Sequence, residues 1–276
     1  MGLNNRFVAE LAALKRRGAL DGFSSVIEIG AQQLSNPFLR DIDGLSQIFG
    51  LFGREAPEFG TPIDSGLEGT IERLSNESPS SRAFWEALGI HYKAIEFDGH
   101  RDSIPLDLNR DSVPRHMRGA FDLVVNTGTT EHVANQDNAF RVMHDLCRPG
   151  GIMYHELPAG GMMTHGLVNY TPKFFWHLCR ENDYVSLTLK TISCGSAPVP
   201  QNIRDSNMQF AGEDPISVAD VTDFVIVAAI RKPHDYPFVT PLDVPPEVMP
   251  AKRQPPKKIF RRAASYLASA AGLRRH

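Results

Sequence analysis

Three cysteines in 276 residues, Cys147, Cys179 and Cys194, are too few and too scattered for a disulfide framework, and none has CxxC spacing or a histidine at zinc-ligand intervals. They read as core residues of a reducing compartment. No run approaches the ~20 uninterrupted apolar residues that cross a bilayer, and the opening MGLNNRFVAELAALKRRG is charged and mixed rather than leader-like. The expected location is the cytoplasm. Arg6 stands where a myristoylation pattern after Gly2 needs Ser or Thr. A GxGxxG fingerprint is missing after the first apolar run, which argues against a nicotinamide dehydrogenase. His155-Glu156 lacks the second histidine of HExxH, because position 159 is Ala. Spacing therefore indicates no metal site.

The chain's formal charge of -3 hides an asymmetry. The last 26 residues carry eight basic side chains and no acidic one, which leaves 21 basic against 32 acidic in the rest. An acidic body is a poor nucleic-acid surface, so no nucleic-acid partner is expected. The basic tail has an apolar stripe of Ile259, Ala263, Tyr266, Leu267 and Ala270 that suits a peripheral membrane or protein contact. With 42% hydrophobic residues the chain can fill the core of one large α/β domain. The expected organisation is an N-terminal helix over 1–20, a main domain over 21–232 with an insertion at 32–89 capping the site, and a Pro-rich linker with a basic helix over 233–276.

Phe7, Val8, Leu11 and Leu14 recur at helical spacing ahead of Gly18. The period then changes. Val26-Ile27-Glu28-Ile29, Tyr92 to Asp98, Phe121 to Asn126 and Gly151 to His155 read as buried parallel strands. A helix over Asn138–Cys147 stops at Arg148-Pro149-Gly150-Gly151, and Thr171-Pro172 opens another. Two further β-rich runs, Tyr184 to Ile192 and Val221 to Ile230, flank a Pro- and Gly-bearing loop. Ligands of an open parallel sheet bind beyond the carboxyl ends of the strands, where Gly30, Asp98, Asp107 and Asn126-Thr127-Gly128 gather.

The ordered set Val26-Ile27-Glu28-Ile29-Gly30, Phe121-Asp122-Leu123-Val124-Val125, Thr130-Glu131-His132-Val133 and Leu146-Cys147-Arg148-Pro149-Gly150-Gly151 resembles the class I S-adenosylmethionine-dependent methyltransferases over roughly residues 25 to 231. The resemblance implies a three-layer Rossmann-like α/β fold, with a mostly parallel seven-stranded sheet and an antiparallel last strand. It implies S-adenosylmethionine as cofactor and methyl transfer to a small-molecule or glycan acceptor at oxygen.

On the residues of this chain, the resemblance places Gly30 and Ala31 against the methionine end of the cofactor and makes Glu28 the organiser of that loop. Asp98 takes the ribose hydroxyls, with Glu96 two residues earlier as its rival. Asp107 and Leu108 lie against adenine, although Asp107 equally suits a turn cap. Asn126 and Thr127 flank the sulfonium, and Glu131 and His132 front the acceptor pocket. An acceptor hydroxyl needs a base, for which His132, His155 and His165 are the candidates, each with a structural alternative. The chain departs from the family at Gln32-Gln33, where further glycines are usual. That departure keeps open a catalytically inactive methyltransferase-like binding or scaffold protein.

Overall fold

A computed structural model describes residues 2–60, 78–100, 103–162, 165–195 and 222–245. Asn4 caps α1 (Asn5–Arg16), its side chain accepting from the Arg6 and Phe7 amides, and Lys15 and Arg16 lie at the carbonyl end, where cations are favoured. The buried stripe of Phe7, Val8, Leu11 and Leu14 turns this helix onto the sheet.

Seven strands follow: β1 (Ser25–Ile29), β2 (His91–Glu96), β3 (Ile104–Pro105), β4 (Phe121–Thr127), β5 (Cys147–Gly160), β6 (Val185–Gly195) and β7 (Asp223–Arg231). They lie in the order β3-β2-β1-β4-β5-β7-β6. Neighbours are parallel from β3 to β5, whereas β7 runs antiparallel to both β5 and β6. The expected mostly parallel sheet with an antiparallel last strand is the one observed.

Because side chains alternate along a strand, each strand feeds two cores. Ile27, Val124, Met153 and Ile226 face the layer of α5 (Gln136–Leu146) and α6 (Pro172–Glu181). Val26, Val125, Tyr154 and Val227 face α1, α2 (Asn36–Arg40), α3 (Ile42–Leu51) and α4 (Ser81–Ala87). Segment 32–89 was expected to cap the site. Its described part instead supplies this second helical layer through Phe38, Ile48, Phe49, Phe84 and Trp85, and residues 61–77 lie outside the described residues.

The Arg148-Pro149-Gly150-Gly151 turn is absorbed into the start of β5. Arg148 pairs with Asp122, whose carboxylate also accepts from the Ser24 amide (2.9 Å), the Ser25 amide (2.9 Å) and the Ser25 hydroxyl (2.7 Å), tying the starts of β1, β4 and β5 together. A second compact unit begins at Pro241, of which 241–245 are described. The basic helix expected towards residue 276 and most of the expected loop between β6 and β7 lie outside the described residues. No helix among the described residues is long and apolar enough to cross a membrane.

Candidate functional site

The strand order reverses at β1: β2 and β3 extend one way from it, then the chain returns to lay β4 on its other side. At such a switch point the loops leaving neighbouring strands part in opposite directions and leave a crevice at the carboxyl edge. A cleft of about 610 Å³ lies there, lined by residues that follow β1, β2, β3 and β4. Its volume is in the range of small-molecule and cofactor sites.

The sheet is a Rossmann-like, mostly parallel seven-stranded sheet with β7 antiparallel.

No family model and no curated protein matches the chain. Among solved structures it is similar to a Burkholderia thailandensis 1,6-didemethyltoxoflavin-N1-methyltransferase holding 1,6-didemethyltoxoflavin and S-adenosylhomocysteine, at 13% identity and a TM-score of 0.37 over 82% of this chain and 77% of that one. It is also similar to an Archaeoglobus fulgidus SAM-dependent methyltransferase, at 11% identity and a TM-score of 0.37 over 80% and 93% of the two chains.

On the β1 side of this cleft, Gly30 has φ of 81°, and a Cβ there would overlap the Thr129 hydroxyl. The loops after β1 and β4 therefore touch. Gln32 locks that contact: its buried amide donates to the Gly30 carbonyl (3.1 Å) and to Thr129 Oγ1 (3.3 Å). A side chain thus holds the loop at the position where the chain departs from the glycines usual in the family it resembles. Glu28 is fully buried and lies outside the cleft lining. It accepts from Ser81 Oγ (2.6 Å), Trp85 Nε1 (2.8 Å), Tyr92 OH (3.0 Å) and the Gln32 amide (3.0 Å), so it organises the loop from behind. Burial pushes its carboxyl above the ordinary range, against the pull of these four donors.

The acid at the mouth of β2 is Glu96. One oxygen accepts from the Ala31 amide (2.9 Å) and the other from the Phe97 amide (3.3 Å), leaving acceptor capacity on both. Asp98 stands beyond the strand end, outside the lining, and caps a turn by accepting from the His100 amide (2.8 Å). Asp107 lines the cleft, but it also caps the following turn (Asn109 amide, 2.9 Å) and pairs with Arg110 (2.6 Å). The Asn109 amide chiefly holds its carboxyl below the ordinary range. Leu106, Leu108 and Val133 form an apolar wall, and the exposed Phe97 ring stands at the rim.

Asn126 and Thr127 are buried outside the lining, and Gly128 and Thr129 take the place beside the cleft. Asn126 donates to Thr130 Oγ1 (2.8 Å) and meets His155 Nδ1 (3.3 Å). His155 is enclosed between Phe140 and Phe175, and burial pushes its pKa down to about 3. It is neutral at neutral pH and out of reach of solvent.

His132 and His165 do come together, with ring centroids 5.3 Å apart, and both reach solvent. Partial burial holds His132 below its ordinary pKa. Both rings face the buried Glu131 carboxylate. Of the residues lining the cleft, Glu96, Gln32 and Thr129 are those whose places the sequence pattern understated. The signal available for Glu96 was its place on the same strand face as Asp98.

Proposed function

We propose that this chain is an S-adenosylmethionine-dependent methyltransferase acting at oxygen on a small-molecule or glycan acceptor. The observation that carries the proposal is the cleft at the β1/β4 switch point, with a strand-end carboxylate, Glu96, on its wall. The donor set suits the cofactor. Glu96 offers two acceptor oxygens to a ribose diol. Leu106, Leu108 and Val133 offer an apolar slot for adenine, with Asp107 at its polar end and Phe97 free to cover it. Gly30 and Ala31 leave the backbone bare for the methionine portion.

Bound there, S-adenosylmethionine would supply a sulfonium methyl, an electrophile that needs alignment more than activation. What remains for the protein is to orient the acceptor and take a proton from its hydroxyl. His132, at the cleft, and His165, beside it, are the two accessible bases, whereas His155 is enclosed. The Glu131 carboxylate lies near both rings, 3.4 Å from His165 Nε2 and 3.8 Å from His132 Nε2.

Thermal melting with S-adenosylhomocysteine tests the reading. A rise in Tm is expected, and the absence of a shift with either cofactor form would remove it. A second reading, a methyltransferase-like binding protein without turnover, is favoured by the Gln32 amide that fills the loop between Gly30 and Thr129. Labelled methyl transferred to a panel of hydroxyl acceptors separates the two, since only the enzyme gives labelled product.

A further inference from the structure

Glu131 is wholly buried, yet neither of its carboxylate oxygens has a hydrogen-bond partner among the described residues. An ionised carboxylate removed from water is strongly unfavourable unless a donor or a cation meets it. The fold nonetheless holds it there. The Glu131 carbonyl accepts from the Leu167 amide (2.8 Å) and the Val168 amide (3.1 Å), docking the loop after β5 onto the turn after β4. Gly166 passes so near that an added Cβ would stand 2.8 Å from Glu131 Cγ.

This docking delivers a second ligand-type side chain to the carboxylate. His165 Nε2 lies 3.4 Å from Glu131 Oε1, and His132 Nε2 lies 3.8 Å from the same oxygen. The donor atoms of all three residues fall within 4.8 Å of one another. Ligands ~2.0–2.2 Å from a common ion stand roughly 2.8–3.6 Å apart in tetrahedral or octahedral arrays. One of the three pairs already has that spacing, and the other two, both involving the half-exposed His132 ring, lie within 4.8 Å.

We propose that Glu131, His132 and His165 form a binding site for a divalent transition-metal ion, with two imidazoles and one carboxylate as its protein ligands. Imidazole ligands favour such ions, whereas Mg²⁺ and Ca²⁺ favour all-oxygen shells. Both rings reach solvent and His132 lines the cleft, so the remaining coordination positions open on the cleft side. Three protein ligands with an open position is the arrangement that lets a metal polarise an incoming oxygen. Metal binding would engage the same two imidazoles offered above as bases, and its readouts need no cofactor.

The test is a titration of the full chain, stripped with chelator, with Co²⁺ and Zn²⁺ by calorimetry, following Co²⁺ by its visible absorption. One equivalent per chain is expected, with Zn²⁺ raising Tm. His132→Ala/His165→Ala should bind at least tenfold more weakly and lose the Co²⁺ bands. Glu131→Gln, a neutral isostere, should melt no lower than wild type without metal and gain no Tm from Zn²⁺. The single His165→Ala variant, altered only on the partly exposed loop, gives the same comparison if the double variant does not fold. Failure of the wild type to take up one equivalent, unchanged affinity in a folded histidine variant, or binding of Mg²⁺ in preference to Zn²⁺ would overturn the proposal.

Discussion

Replacing Glu96 with Ala removes the carboxylate that faces the cleft and holds the Ala31 amide. Glu96→Ala should weaken S-adenosylhomocysteine binding at least tenfold, a loss of about 1.4 kcal/mol. Asp98→Ala should leave it within about twofold, and calorimetry on the two variants decides between the acids. A strand face admits both residues, because alternate positions point the same way. What separates them is that β2 ends at Glu96, and sequence marks strand ends poorly. Glu28 carries a second expectation. Glu28→Ala strands the Trp85 indole N–H and the Ser81 and Tyr92 hydroxyls in the core, so it should cost about 3–5 kcal/mol in urea unfolding. Its place beside Gly30 was legible, but its partners were not, since Ser81, Trp85 and Tyr92 lie more than fifty residues downstream.

At the scale of elements, the strands, the helix before the Pro-Gly-Gly turn and the Pro-opened helix were readable because period, caps and breakers all agree there. The 32–89 segment was harder. Its apolar residues are plain in the sequence, yet whether they cover a cleft or a sheet face depends on α1, which packs against α3 and shares its core. The α1 helix is fastened at its first turn: Arg6 pairs with the buried Glu156 at 2.8 Å, and Asn4 Nδ2 donates to the same oxygen at 2.9 Å. Arg6→Ala should therefore destabilise the chain by about 2 kcal/mol, with Asn4 retaining part of the tie. Urea midpoints of the single and double variants measure how the two contacts share Glu156. Gln32, noted in the sequence only as a departure from the family's glycines, bridges two loops. That bridge was invisible in sequence because Thr129 reaches Gln32 only once β1 and β4 are neighbours.

For the molecule as a whole, two buried histidines set the response to acid. Burial lowers His155 to about 3 and His144 to about 4, both below the ~6.5 of an unfolded chain. The unfolded state then binds protons that the folded state refuses, so stability is complete above about pH 6.5 and is lost as pH falls toward 4. At pH 5.5 the loss should be about 1.4 kcal/mol per histidine relative to neutral pH. His155→Phe, matched to its two phenylalanine neighbours, should remove one histidine's share, read from urea unfolding at pH 7.5 and 5.5. The fastening of α1 to Glu156 also has a consequence for the newborn chain. Arg6 and its partner are 150 residues apart, so this helix must wait for β5 to emerge before its charged end is satisfied. At ribosomal rates of ~5–20 residues per second that wait is roughly eight to thirty seconds. Throughout it the stripe of Phe7, Val8, Leu11 and Leu14 has no β5 to pack on and stays open to non-native contacts.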